Sequence, residues 1–246
     1  MDIIINGAGG KMGCVMRSLI QSEKKHRVSA LVDPAFETDA KNCAFKNLFE
    51  VRKKADVIID FSFHASVPVL CSYAVKTKTP LVVATTGHTE RERSIINSSA
   101  RHIPVFYSAN MSLGVALTAC IAKMTAKAFP ESEIEIVETH HDKKADFPSG
   151  TALMLAEAIR SVRPGLSVRS SHIPGKARDR NELFIHSLRL GNAAGSHEII
   201  FALPFQTVTI RHEAHDRTLF AEGALKAAEF IAEKENGLYC AQDILK

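Results

Sequence analysis

Seven residues, Gly7-Ala8-Gly9-Gly10-Lys11-Met12-Gly13, limit what this chain can fold into more than any others do. The run Ile3-Ile4-Ile5-Asn6 leads straight into them. Apolar residues at three- and four-residue spacing (Met12, Val15, Met16, Leu19, Ile20) follow at once. A β-branched run, a glycine turn and an amphipathic helix in immediate succession read as the opening of a βαβ unit. The spacing is Gly-x-x-Gly-x-x-Gly, a variant of the commoner Gly-x-Gly-x-x-Gly, and the physics is unchanged. Glycine tolerates φ > 0 in the turn, a missing Cβ lets backbone N–H groups approach a pyrophosphate, and the helix N-terminus favours negative charge. Gly7, Ala8, Gly9, Gly10, Lys11 and Met12 are therefore candidate cofactor contacts.

The next hundred residues repeat the rhythm. Val28 to Val32, Asp56 to Phe61, Leu81 to Ala84 and Pro104 to Tyr107 read as strands with helical patterns between them. Continuous apolar strands punctuated by helices predict a parallel sheet covered on both faces, a doubly wound α/β domain. Asp33 stands at the end of the second strand, twenty residues past Gly13. A carboxylate there accepts hydrogen bonds from adenosine ribose hydroxyls; with Pro34 next, it also fits a plain strand-ending turn. No arginine adjoins it to meet a 2′-phosphate, which favours NADH, while Lys11 leaves NADPH open. Two further strand ends, Ala84-Thr85-Thr86-Gly87 and Ser108-Ala109-Asn110-Met111, suit the nicotinamide and its ribose or ordinary turn chemistry.

Near residue 110 the pattern changes. A helix over about Leu113 to Phe129, a strand over Glu133 to Thr139 and a helix over about Thr151 to Val162 precede three strands without intervening helices: Glu182 to Leu190, His197 to Leu203 and Thr207 to Glu213. Short turns such as Gly191-Asn192 predict antiparallel hairpins with one solvated or interface-forming face. Gly165 to Arg180 reads as a mobile loop, and a last helix over roughly Leu219 to Glu233 is free to return to the first domain. The expected division is a dinucleotide domain from 1–110 plus 218–246, and a smaller α+β domain from 111–217.

Composition excludes several function classes. Of 246 residues, 46% are hydrophobic and 24% charged, as in an ordinary globular protein rather than a disordered or fibrous one. No apolar run approaches the roughly 18 residues of a membrane span, and Met1-Asp2-Ile3 lacks the basic region of a signal peptide. A net charge of +4 is too small to argue for nucleic acid but suits a small anionic substrate. Five scattered cysteines without a Cys-x-x-Cys favour free thiols in a reducing cytoplasm over disulfides or zinc.

The densest chemistry lies in Glu138-Thr139-His140-His141-Asp142-Lys143-Lys144-Ala145-Asp146-Phe147-Pro148-Ser149-Gly150-Thr151-Ala152. Two histidines supply proton donors near neutral pH, and the lysines supply fixed positive charge. Ser149 reads as a helix N-cap, so Gly150 and Thr151 would turn their N–H groups toward an anion such as a carboxylate. The competing reading is a metal site. Adjacent histidines in a strand point to opposite faces and seldom chelate one ion, so no metal is expected.

At this point the motifs converge. The glycine turn, Thr85-Thr86-Gly87, and the segment Glu138-x-His140-His141-x-x-Lys144-x-Asp146-x-Pro148-Ser149-Gly150-Thr151-Ala152 together resemble the dihydrodipicolinate (4-hydroxy-tetrahydrodipicolinate) reductase family. Arg189-x-Gly191, Gly195-x-His197 and Arg217-x-x-Phe220-Ala221-x-Gly223-Ala224 carry the likeness across nearly the whole chain. The resemblance implies a Rossmann-like doubly wound sheet, a substrate domain with a mixed sheet that also builds a homotetramer, and a hinge between them. It implies NADH- and/or NADPH-dependent reduction of a small dicarboxylate in diaminopimelate and lysine biosynthesis, in the cytoplasm, with no nucleic-acid or membrane partner. His140 would be the proton donor and Lys144 its assistant. His141, Lys144, Gly150 and Thr151 would bind the substrate's carboxylates. Gly7 to Met12, Asp33, Ala84 to Thr86 and Ser108, Ala109, Asn110 and Met111 would hold the cofactor. The chain departs from the family pattern at Ala84, Pro34, Ser196 and His215-Asp216. Two other readings fit part of the sequence: a non-catalytic dinucleotide sensor, and another two-domain NAD(P)H reductase of a small carboxylate.

Overall fold

The computed structural model describes residues 1–175 and 177–246, and its contacts divide the chain into two units. The first comprises Met1–Ser112 with Arg217–Lys246. Its elements are β1 (Asp2–Asn6), α1 (Lys11–Glu23), β2 (Arg27–Val32), β3 (Ala44–Phe45), β4 (Val57–Asp60), α2 (Val67–Thr77), β5 (Leu81–Val83), α3 (Glu90–Ser99) and β6 (Pro104–Tyr107); α6 (Thr218–Ile231), β12 (Gly237–Tyr239) and α7 (Ala241–Ile244) complete it. The strands form one seven-stranded sheet in the order β12-β6-β5-β4-β1-β2-β3. Every described pairing in it is parallel. Ile3, Ile4, Ile5, Val57, Ile58, Ile59, Leu81, Val82 and Val83 are essentially buried. Covering both faces removes each of these side chains from water, a gain of about 1.5–3 kcal/mol apiece. α2 and α3 pack on one face, and α1 and α6 pack against each other on the other. The chain leaves β1 toward β2 and β3, then restarts on the opposite side with β4. That reversal makes the carboxyl ends of β1 and β4 a topological switch point, where open α/β sheets bind ligands.

The second unit, Leu113–Asp216, contains α4 (Leu113–Ala128), β7 (Glu133–His140), α5 (Gly150–Arg160), β8 (Ser167–Arg169), β9 (Glu182–Arg189), β10 (Gly195–Leu203) and β11 (Gln206–Ala214). Its sheet runs β11-β10-β7-β9-β8 and is mixed. β10 pairs antiparallel with β11 and β7, whereas β9 runs parallel to both β7 and β8. Strict alternation along β7 turns Ile134, Ile136 and Glu138 to the buried side. Ile134 and Ile136 pack there with Leu155, Ile159, Ile185, Ile199 and Phe201 in one core.

Two expectations change. Gly191-Asn192 is not a hairpin turn, because β9 lies on the far side of β7 from β10 and the chain after Gly191 crosses to reach it. Among the described residues of this unit, only β10–β11 closes as a hairpin, through Pro204-Phe205, with Leu203 opposite Gln206. Within the stretch read as a mobile loop, Ser167–Arg169 instead extends the sheet as β8, and Lys176 lies outside the described residues. Among the described residues, no helix is long and apolar enough to cross a membrane.

Candidate functional site

The glycine turn closes the switch point of the first unit. Gly7 has φ +78°, and a Cβ on it would lie 2.6 Å from the Phe61 carbonyl carbon and the Ser62 nitrogen. The turn therefore crosses the end of β4 at a distance only glycine permits. A Cβ on Gly13 would lie 2.3 Å from the Gly7 oxygen, so this third glycine lets α1 start directly on the turn. Gly9, Gly10 and Lys11 are exposed at that start. The N–H groups of Lys11, Met12 and Gly13, in the first turn of a helix, have no intrahelical acceptor. The turn fits a pyrophosphate: exposed amides, a helix N-terminus and no side chain in the way. Asp33 stands beside it, its Oδ2 accepting from Gly9 N (2.9 Å) and its Oδ1 from Ala35 N (3.0 Å).

The sequence reading missed the residue that organises this edge. Asp60 ends β4 with no exposure at all. It accepts from Asn6 Nδ2 at 2.7 Å, Ser62 Oγ at 2.6 Å and Thr85 Oγ1 at 2.6 Å. Burial pushes its carboxyl pKa up, against the pull of those three donors. One buried acid thus ties β1 to the loop carrying Ala84, Thr85 and Thr86. The signal was a lone acid ending an otherwise apolar run, Val57-Ile58-Ile59-Asp60. Half-buried Ala84 donates its N–H to the Asp60 carbonyl, while Thr86 is exposed. In the last loop, Ser108 Oγ donates to the Asn110 carbonyl (2.6 Å) and Asn110 Oδ1 accepts from Ser112 N (2.8 Å). Ala109 is exposed and Met111 buried.

The second unit holds the histidine–lysine segment. His140 is the last residue of β7 and His141 the first beyond it. Glu138, two residues earlier on the same side of the strand, is fully buried. Its Oε2 meets His140 Nδ1 at 2.5 Å, and both carboxylate oxygens take the Arg189 guanidinium, at 2.9 and 2.8 Å. Ser149 N donates to the same carboxylate at 3.2 Å. Burial alone would raise this acid's pKa, but Arg189 and His140 more than offset that and hold it at about 2. Glu138 is therefore a fixed anion that orients the His140 ring. The ring's other nitrogen, Nε2, lies where a Cβ on Gly195 would be 3.0 Å away, so glycine there leaves it room.

Ser149 caps α5, accepting from Ala152 N (3.2 Å), and its Oγ also meets buried His197 Nε2 at 3.0 Å. Burial, then the neighbouring His140, lowers the His197 pKa to about 4, so this ring stays neutral at physiological pH. Gly150 and Thr151 follow as the first residues of α5, at the positive end of its dipole. Lys144 donates to both oxygens of Asp146 (2.8 and 2.7 Å), a partner the sequence reading did not assign. The buried Nδ1 of His141 has no partner among the described residues. The structure thus gathers His140, His141, Lys144, Gly150 and Thr151 within one unit, and adds Glu138, Arg189 and His197 behind them. Nothing in the structure explains Ser196 or the His215-Asp216 pair.

Comparison with known proteins gives a consistent result. The family model for the N-terminus of dihydrodipicolinate reductase matches residues 1–111, and that for its C-terminus matches 114–245. A 4-hydroxy-tetrahydrodipicolinate reductase of Caldanaerobacter subterraneus subsp. tengcongensis is 42% identical, over 99% of this chain and 98% of that one. The enzyme of that name from Clostridium novyi is 37% identical over 99% and 98%. Among solved structures, a dipicolinate-bound dihydrodipicolinate reductase from Paenisporosarcina sp. TG-14 superposes with a TM-score of 0.82 at 26% identity, covering 98% of this chain and 97% of that one.

Proposed function

The chain belongs to the dihydrodipicolinate reductase family, and from that premise we propose that it reduces 4-hydroxy-tetrahydrodipicolinate to tetrahydrodipicolinate with a nicotinamide dinucleotide, in cytoplasmic diaminopimelate and lysine biosynthesis. The observation that carries this reading is His140 held at Nδ1 by a buried carboxylate, beside the start of α5 and the unpartnered His141 nitrogen.

Loss of the 4-hydroxyl and a neighbouring C–H proton as water gives the conjugated imine, and the bound reduced nicotinamide would supply a hydride to its C4. Negative charge then builds on the substrate and must be quenched by a proton at the neighbouring carbon. His140 is the group to deliver it: Glu138 accepts at Nδ1, which leaves Nε2 as the donating nitrogen. A substrate carboxylate would be received by the first amides of α5, at Gly150 and Thr151, and by His141. Lys144 acts as a charge beside the dianion or the leaving hydroxyl, with Asp146 holding it until a substrate carboxylate competes. Gly7 to Met12 would hold the pyrophosphate, Asp33 the adenosine ribose, and Ala84 to Thr86 with Ser108 to Met111 the nicotinamide half. A carboxylate at Asp33 repels a 2′-phosphate, so NADH is the proposed preference.

Purified protein should oxidise NADH, and NADPH more slowly, only when the condensation product of aspartate semialdehyde and pyruvate is supplied. Pyridine-2,6-dicarboxylate should inhibit competitively with that substrate. Normal cofactor binding without this turnover would overturn the assignment.

A homotetramer is proposed through the mixed sheet. The helices of its unit pack on the opposite face, with Ile136 and Ile199, and on the face carrying Val137, Leu188, Ile200 and Ala202 the Leu188 side chain is 45% exposed. Sedimentation should give the mass of four chains; a monomer at micromolar concentration would refute this.

A further inference from the structure

A second cluster of ligating side chains lies on that same sheet face, away from the histidine–lysine segment. Glu135 of β7 meets His186 of β9, Oε2 to Nε2, at 2.7 Å. His172, from the segment after β8, stacks on Phe184 with ring centroids 3.8 Å apart and lies 5.8 Å from the His186 ring. One ligand atom from each of Glu135, His172 and His186 falls within 4.8 Å of the other two. Arg178 occupies the other carboxylate oxygen, Oε1, at 2.5 Å. A cavity of about 320 Å³ opens beside the cluster, lined by Arg169, His172, Arg178 and Phe184.

We infer that Glu135, His172 and His186 form a site for one divalent transition-metal ion of the zinc type. Two imidazoles and a carboxylate are a ligand set that favours zinc and its neighbours over magnesium or calcium, which want oxygen alone. Bonds of about 2.0–2.2 Å to a tetrahedral ion put its ligands about 3.3–3.5 Å apart. Glu135 and His186 therefore need to open by under an ångström, with the ion taking the place of the proton they share. His172 sits on an exposed segment and can close the remaining distance, leaving the fourth position to water. Arg178 neutralises Oε1 only, so Oε2 keeps its lone pairs for the metal. Such an ion would pin the segment after β8 onto β9. The adjacent-histidine pair of the proposed active site plays no part in it.

The test is equilibrium dialysis of the full-length protein against zinc chloride, with magnesium chloride as control, followed by elemental analysis. The wild type should take up one zinc per chain and no magnesium. His172→Ala, on an exposed segment, and Glu135→Gln should each weaken uptake at least about tenfold, since even outer-shell changes cost that much. His140→Gln should bind zinc as the wild type does. No zinc uptake by the folded wild type would overturn the proposal, and so would uptake unchanged in both His172→Ala and Glu135→Gln. None of these readings depends on reductase turnover, so the proposal and the activity assignment fail separately.

Discussion

His140→Gln should lower kcat by about 10²–10⁴-fold, the usual contribution of a positioned proton donor, while leaving NADH affinity essentially unchanged. Glutamine keeps the polarity and much of the volume of the imidazole but has no proton to give near neutral pH. The effect belongs to turnover because His140 lies in the second unit, on β7, whereas every residue proposed to hold the cofactor lies in the first. Glu138 sharpens the expectation. A carboxylate held at about 2 stays ionised at every working pH and keeps Nδ1 protonated and the ring fixed. Glu138→Gln should therefore reduce kcat as well, with NADH affinity little changed, since the ring loses the anion that orients it. Lys144→Ala should cost less, about 10–100-fold, the size of one charge-assisted hydrogen bond. Steady-state kinetics with fluorescence titration of NADH decide the matter. Equal losses in turnover and cofactor affinity for His140→Gln would remove it from the role.

The two units were legible from the sequence to different depths. In the first, each strand is short, apolar and followed by a helix, so local pattern and global topology agree; the glycine turn at residue 7 then fixes where a ligand meets the sheet. Asp60 escaped notice because a single acid in an apolar run reads as a strand end. Its role exists only once β1 and β5 flank it and bring Asn6 and Thr85 within reach. In the second unit, the sequence marks strands by alternation but does not say which neighbours which. β9, β10 and β11 look like consecutive hairpins, yet β7 inserts between β9 and β10. That insertion is what brings Arg189 opposite His140 and His197 opposite Glu138. The clamp on His140 is a product of non-local pairing, whereas His140, His141 and Lys144 were visible because they are neighbours in sequence.

Gly223→Ala should be the most damaging single methyl in the first unit. A Cβ on Gly223 would lie 1.8 Å from the Met111 carbonyl oxygen and 2.8 Å from its carbon. Both are backbone atoms, so no side chain can swing aside; either α6 or the loop ending at Met111 must move by more than an ångström. α6 has little freedom to do so, because Ala221, Ala224, Ala227, Ala228 and Ile231 along it are fully buried. Overpacking of this kind costs about 1–3 kcal/mol and occasionally more, and with backbone on both sides the upper end is expected. At about 2–4 °C per kcal/mol for a chain of this size, the melting temperature should fall by about 6–12 °C. Gly165→Ala is the matched control: it meets nothing within 4 Å, and its expected change is within about 0.5 kcal/mol. The loop that must yield carries Ser108, Ala109 and Asn110 as well as Met111, so any Gly223→Ala protein that still folds should bind NADH more weakly than its stability loss alone explains. Thermal melts with and without saturating NADH separate the two effects: the stabilisation by cofactor should shrink in the variant. A melting temperature within about 2 °C of wild type would mean that α6 and the Met111 loop are not held at that separation.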